Sequence, residues 1–327
     1  MRIITQSDVE RLLPIDQCVG VMRQAMMATS QRNVTLPIRQ FMPVPEGTGK
    51  LAIMPGTLGD PACFGIKLVC KYDRPHDDPL GTHVGMVMLF DSVQGIPLAM
   101  IEGSSLTAIR TSAASALATD LLANNDASRL AILGNGEQAM RHLYAMQAVR
   151  DIAQVKVWGR DIERTQDFVQ TAAKATGLSI ESATSSAAAI ADADIICTTT
   201  AAKQPIIFGK DLQPGQHINL VGSAIPTTAE MDDDGVARAR FFVDYREAAM
   251  AAAGELLGAI ERKNVTENHI VGEIGAVAAG HLEGRQQSDE ITIYKSLGVA
   301  SQDLAAAHGV WQRACAQDRG LEVDLLA

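Results

Sequence analysis

From residue 129 the chain settles into a rhythm that few folds can accommodate. "RLAILG" (129–134) is an apolar run and "EQAMRHLYAMQAV" (137–149) a helical stretch. "QVKVWG" is followed by "ERTQDFVQTAAKAT", and "ADIICTTT" is preceded by "SSAAAIADA". "HINLVGS" and "RFFVDY" add two more short apolar runs. These runs do not alternate apolar with polar residues, so both faces of each are buried. Strands of a parallel sheet covered by helices have that property.

The first strand of the series ends in a glycine turn: Gly134, Asn135, Gly136, Glu137, Gln138, Ala139. The pattern is G-x-G-x-x-A. The first glycine permits the tight turn, the second lets the backbone approach phosphate oxygens, and the small third residue lets helix and strand pack closely. The helix that follows points free N–H groups at an anion. The turn follows a strand, opens a helix and heads a βαβ series, which makes it a dinucleotide turn in a Rossmann-type sheet. The second strand ends in "VWGRD", where an acid on the ribose would mark NAD. Here Gly159 is followed by Arg160, with Arg164 one turn on, and Asp161 is placed to cap the next helix. Two arginines where a 2′-phosphate would sit favour NADP over NAD.

The turn arrives late, and 327 residues suit about two domains. Residues 5–32 read as helical, with Ser7 as N-cap and Glu10 completing a capping box. Residues 34–102 read as strands and turns, among them "FGIKLVCKY", "VGMVMLFD" and "PLAMIEG", and residues 105–122 as a helix. The helical tail "SQDLAAAHGVWQRACAQ" falls outside the strand–helix repeat and is expected to return to the first domain. The expected division is 1–118 with 303–327, a discontinuous α+β domain, and 119–302, the dinucleotide domain.

Lys and Arg number 28 against 38 Asp and Glu, a net charge of −10, which argues against a nucleic-acid partner. The five cysteines, Cys18, Cys63, Cys70, Cys197 and Cys315, are odd in number and scattered. They form neither a disulfide framework nor a metal knuckle, and a reducing, cytoplasmic setting is expected with no metal site. No apolar run approaches the ~20 residues of a membrane span, and no signal peptide is read at the start.

Several ordered segments resemble the ornithine cyclodeaminase/mu-crystallin family. They are "MPG" (54–56), "GIKLV" (65–69), "LFDSVQGIPLAMIEG" from 89, "LTAIRTSAASALAT" from 106, "ILGNGEQA", "QPIIFGKDLQPGQHINLVGS" from 204, "AAAGEL" (251–256) and "YKSLGVASQDLAAA" from 294. The resemblance implies a homodimer whose first domain binds substrate and dimerises. It implies chemistry that interconverts an amine or amino acid with an imine through a nicotinamide. Ornithine cyclodeaminases, ketimine reductases and alanine dehydrogenases are such enzymes; crystallin-like relatives bind NADP without catalysis.

Arg110 lies among small and apolar residues, where an arginine needs an anion. The resemblance makes that anion the substrate carboxylate, with a salt bridge to a buried acid as the alternative. Lys67 interrupts the run "FGIKLV"; by resemblance it points into the site, where burial beside Arg110 would lower its pKa and make it a proton donor. Lys71 is its competitor at i+4. The resemblance further places Met54 and His83 at the substrate. At the cofactor it places Thr111, Gln138, Ser223 and Lys295, with Ser296 beside it. Two departures matter. The loop "VGSAIPTTAEMDDD" (221–234) has Ala224 and Thr227 where an ornithine cyclodeaminase carries an aspartate for the amino group. Glu230 reads as structural and Asp232–Asp234 as a solvated helix start. Met86 stands where a threonine is common, which suggests an apolar pocket and a compact ring. These departures favour NAD(P)H-dependent reduction of a cyclic ketimine such as Δ1-pyrroline-2-carboxylate, giving L-proline. An amino-acid dehydrogenase, a cyclodeaminase and a non-catalytic NADP binder are the alternatives.

Overall fold

A computed structural model of the chain describes residues 1–45, 47, 49–75, 78 and 80–325. The chain divides into two compact units, Met1–Arg110 with Gly298–Ala327, and Thr111–Leu297. Both divisions fall earlier than the boundaries read from the sequence. The first lies inside the helix Gly103–Leu122, which apolar patterning marks as one unbroken element.

The first unit is built on a mixed eight-stranded sheet. Its centre is an antiparallel run of Gly49–Gly59, Ala62–Tyr72, His83–Phe90 and Pro97–Glu102. Arg2–Ile4 pairs parallel to Pro97–Glu102, and Leu321–Glu322 pairs with Arg2–Ile4, so both ends of the chain enter this sheet. Along Ala62–Tyr72 the buried positions are Cys63, Gly65, Lys67 and Val69, the two-residue period of a strand with one covered face. The cover is the helix Ala300–Ala316, which packs across the three central strands. Gly56 and Gly65 face each other in register beneath it. A Cβ on Gly65 would lie 2.9 Å from Leu304 Cδ2, and one on Gly56 3.0 Å from Ala300 Cβ. The paired glycines let the helix settle close to the sheet.

The sequence reading of residues 5–32 needs correction. Two helices, Gln6–Leu12 and Ile15–Ser30, are broken at Leu13–Pro14, because proline cannot continue the first. The capping box belongs to Thr5 and Asp8, not Ser7 and Glu10. The N-cap, Thr5, lies two residues before the residue taken as the cap.

The second unit carries an eight-stranded parallel sheet. Arg129–Leu133 lies inside it, flanked on one side by Gln154–Trp158 and Ile180–Ser182. On the other side come Ile195–Thr198, His217–Leu220, Thr292–Lys295, Arg240–Val243 and Ile270–Glu273. Strand order reverses between Arg129–Leu133 and Ile195–Thr198, and ligands of such sheets bind beyond the strand ends at that point. The strand Thr292–Lys295 inserts between two that precede it in sequence, which aligns Thr198, Leu220, Lys295 and Val243 at one end of the sheet. Among the described residues, no helix is long and apolar enough to cross a membrane.

Candidate active site

In the first unit, Lys67 sits mid-strand between Met54 and Val87, its register partners, on the face covered by Ala300–Ala316. Arg110 is carried by Gly103–Leu122, whose start is held by Glu102: that carboxylate accepts from the backbone N–H of Ser104 at 2.5 Å and of Ser105 at 2.9 Å. Lys67 and Arg110 meet on one group, the buried carboxylate of Asp303. Its Oδ1 accepts from Lys67 Nζ at 2.8 Å and from Arg110 Nε at 2.9 Å. Arg110 Nη1 donates to Gln302 Oε1 at 2.9 Å. Lys67 and Arg110 are each 4% exposed and Asp303 is 0% exposed. Gly298, at φ +75°, lies flat against the guanidinium, where a Cβ would come within 2.8 Å of Arg110 Nη1.

This arrangement has definite electrostatics. Burial draws Lys67 down to about 7, Asp303 opposing and Arg110 reinforcing the shift, with a smaller contribution from Arg39. Burial alone would raise Asp303, but Arg110 and Lys67 hold it below the usual carboxylate range. With Lys67 protonated the trio carries two positive charges against one negative. The surplus charge suits one carboxylate ligand. Arg110 thus has the buried acid of the salt-bridge reading.

Met54 is 6% exposed and paired with Lys67. His83 lies on the same face, opposite Lys71, with Nδ1 2.8 Å from Thr82 Oγ1. Burial, Lys71, Lys67 and Arg39 draw it down to about 4, so it is neutral near pH 7. Met86 does not belong here. It pairs with Leu68, one residue out of phase with Lys67, and so points to the opposite face of the sheet. The apolar pocket read from Met86 is therefore withdrawn. Asp303, Gln302 and Arg39 were not read as site residues. Asp303 carried the same signal as Arg110, a charged residue in an alanine-rich helix. Arg39 donates to the Gly298 carbonyl at 2.8 Å.

In the second unit, Gly134 has φ +126°, and a Cβ there would lie 2.5 Å from Thr199 Oγ1, so only glycine fits. Gly136 N-caps the helix Glu137–Gln147 with open space where a Cβ would be. Ala139 is fully buried. Gln138 Oε1 is buried with no hydrogen-bond partner among the described residues, while its carbonyl meets His142 Nδ1 at 2.7 Å. The open approach at Gly136 leaves the N-terminus of the helix Glu137–Gln147 accessible, which fits a dinucleotide pyrophosphate. Glu137 is exposed in the first helical turn and Thr111 is buried. Asn135 Nδ2 donates to Thr165 Oγ1 at 3.2 Å across Gly159, whose missing Cβ leaves room for both. Arg160 is exposed. Asp161 caps Ile162–Thr176, accepting from Arg164 N at 3.1 Å, and its other oxygen lies 3.4 Å from Arg164 Nε. The acid nearest the expected ribose is thus engaged by its own helix.

Ser223 and Lys295 hold the loop at the sheet end. Lys295 Nζ, fully buried, donates to the Ser223 carbonyl at 2.6 Å and lies 3.0 Å from Glu255 Oε2. Ser223 Oγ donates to the Thr228 carbonyl at 2.6 Å. Glu230 is turned inward: its oxygens accept from the hydroxyls of Thr198 and Thr200 and the backbone N–H of Thr200 and Gly222. Burial pushes Glu230 above its ordinary value, against Lys295 and the two threonines. Ala224 packs against the core and Thr227 is exposed, so neither supplies a carboxylate.

The sequence matches the ornithine cyclodeaminase/mu-crystallin family over residues 1–318. It is 34% identical over 327 residues to a Delta(1)-pyrroline-2-carboxylate reductase of Bacillus cereus, covering 99% of this chain and 100% of that one. The structure resembles Thermococcus litoralis Delta(1)-pyrroline-2-carboxylate reductase in complex with NADH and L-proline, with TM-score 0.95 and 29% identity over 99% of this chain and 100% of that one. It also resembles an archaeal alanine dehydrogenase dimer with bound NAD, with TM-score 0.92 and 28% identity over 100% of this chain and 99% of that one.

Proposed function

Since the chain belongs to the ornithine cyclodeaminase/mu-crystallin family, we propose that this oxidoreductase reduces a ketimine bearing a carboxylate, such as Δ1-pyrroline-2-carboxylate, to the amino acid, such as L-proline. The observation that carries the reading is the single carboxylate of Asp303 shared by two buried cations. The glycine turn would hold a nicotinamide dinucleotide, which would supply the hydride. The protein's own residues do the rest. Arg110 holds the substrate carboxylate with the charge Asp303 leaves over. Lys67, poised near neutrality, gives its proton to the imine nitrogen, so that one hydride and one proton convert C=N to CH–NH. Asp303 holds both cations in place. The relatives named pyrroline-2-carboxylate reductases support the substrate class. A deaminating cyclisation needs an acid for the amino group; the loop has Ala224 and Thr227 at that place, turns Glu230 inward, and commits Asp232 to capping the next helix and Asp233 to Arg262. Turnover of NADPH with Δ1-pyrroline-2-carboxylate tests the proposal; no oxidation between pH 5 and 9 rejects it.

Arg110→Met raises KM for the imine by about a hundredfold, because a buried charged contact to the substrate is lost. An unchanged KM removes Arg110 from the carboxylate site.

We further propose NADP as the preferred cofactor. The exposed Arg160 and the engagement of Asp161 as a cap support it. Arg160→Ala raises KM for NADPH by about tenfold and leaves that for NADH unchanged; equal effects on both cofactors reject the assignment.

A homodimer is supported by the outer face of the first unit's sheet. There Met42, Val84 and Met86 are 50%, 37% and 36% exposed, and their register partners Leu51, Cys70 and Leu68 share that face. All five cysteines are free thiols, which fits a cytoplasmic setting.

A further inference from the structure

Glu230, Glu255 and Lys295 are enclosed together at one end of the parallel sheet, and their charges do not cancel. Glu230 and Lys295 are fully buried and Glu255 is 1% exposed. Among the described residues, Lys295 and Glu255 are the charged groups that act on Glu230, so two carboxylates share one ammonium. Glu255 joins the other two: its Oε1 accepts from the Glu230 backbone N–H at 3.0 Å and from Lys295 Nζ at 3.3 Å. Both oxygens of Glu230 accept. Oε1 takes the backbone N–H of Thr200 at 3.0 Å, and Oε2 those of Gly222 at 2.8 Å and Ser223 at 3.3 Å. A backbone N–H can only donate, so this set of partners suits the ionised carboxylate and opposes the burial that raises Glu230. Well-packed apolar side chains would serve stability as well as buried ions do, so folding alone gives no reason for a surplus carboxylate.

The place of the surplus is informative. In a dinucleotide sheet the pyrophosphate lies at the glycine turn and the adenosine ribose at the end of the second strand. Here these are residues 134–139 and the end of Gln154–Trp158. The nicotinamide half is left the other side of the turn, at the ends of Ile195–Thr198 and His217–Leu220. Glu230 ties those two ends together, holding Thr198 and Thr200 after one strand and Gly222 and Ser223 after the other. Thr199, between the two threonines, is the residue that a Cβ on Gly134 would strike.

We propose that Glu230, Glu255 and Lys295 form a charge-tuning unit, whose surplus negative charge stabilises the oxidised nicotinamide over the reduced one. A nicotinamide that gives up a hydride, one proton with two electrons, is left with a positive ring, and the hydride forms the new C–H bond at the imine carbon. A fixed negative charge held away from water favours that positive ring. On the enzyme it therefore favours transfer to the imine over the return. The inference rests on the nicotinamide reading and adds a direction to it. The three side chains act through their field, without touching the ring.

The test measures binding, not turnover. The full-length protein is titrated with NADPH, followed by its fluorescence, and with NADP+ by calorimetry; NADH and NAD+ are run in the same way. Glu255→Gln removes one charge and keeps an oxygen for the Glu230 N–H. Its ratio of Kd for NADP+ to Kd for NADPH is expected to rise about tenfold over wild type, a shift of about 30 mV in the bound two-electron couple. Glu230→Gln makes the same change of charge at a second position and moves the ratio the same way. Thr198→Val removes a hydrogen bond to Glu230 and no charge. It weakens both forms alike and leaves the ratio at the wild-type value. A ratio unmoved in both glutamine variants, or raised as much in Thr198→Val, overturns the proposal and leaves the three residues as a structural staple for the loop. Wild-type protein that binds neither form of either cofactor rejects the nicotinamide reading, and the proposal with it.

Discussion

Lys67→Met is expected to lower kcat for imine reduction by about 10²- to 10⁴-fold, the usual contribution of a positioned general acid. Methionine is close in length and still fills the buried position, and Asp303 keeps Arg110 as a partner. The fold should therefore survive, which a denaturation midpoint near that of the wild type would confirm. The pH profile identifies the proton. Lys67 lies at about 7, so its acid form is fully present below that value and is lost as pH rises through it. Wild-type kcat/KM should fall about tenfold per pH unit on the alkaline side. In Lys67→Met that limb disappears. A limb that persists belongs to the iminium of the substrate, and kcat within a few-fold of wild type would end the assignment of Lys67 as the acid.

Asp303→Leu removes the counter-charge from two buried cations at once. Leaving a buried charge without its partner costs about 3–5 kcal/mol, read as a lower urea midpoint. The pH dependence has a definite sign. Between about pH 7 and the ordinary lysine range, an unfolded chain keeps a proton that folded Lys67 has given up. Stability therefore rises with pH across that window. Without Asp303 the folded lysine is drawn lower still, so the window opens at more acid pH and the deficit is greatest there. Asp303→Asn retains an oxygen for Lys67 and Arg110 but not the charge, and falls between wild type and leucine. A leucine variant as stable as wild type would mean that the two cations do not depend on Asp303.

What could be read from the amino-acid order alone divides by distance along the chain. The glycine turn was legible because its demands are local: Gly134 needs a positive φ and a bare Cα, and the strand before it and helix after it are contiguous. Asp161 as a cap was legible for the same reason. Arg110 announced its need for an anion, yet its partner Asp303 lies 193 residues away, and no local pattern pairs them. Met86 was misplaced because the residues between Tyr72 and His83 leave the strand register open, and a shift of one turns a side chain to the other face. Thr5–Asp8 and Ser7–Glu10 are overlapping capping boxes, and only the packed helix chooses between them. "YKSLG" gave no sign that Lys295 is wholly enclosed, since that depends on Glu255 and a strand inserted out of sequence order.

The carboxylate that joins Lys67 to Arg110 comes from a helix near the end of the chain. This sets a timetable for synthesis. Residues 111–297 form an unbroken segment with its own core and can fold as they emerge from the ribosome, as domains generally do. The segment before them must wait, with Lys67 and Arg110 lacking their shared acid, until residues 298–327 arrive and close the sheet against Arg2–Ile4. A product released before that point has its glycine turn but no neutralised cation pair. The shared acid of Lys67 and Arg110 is thus in place only after the whole of the second unit and the helix Ala300–Ala316 have been made.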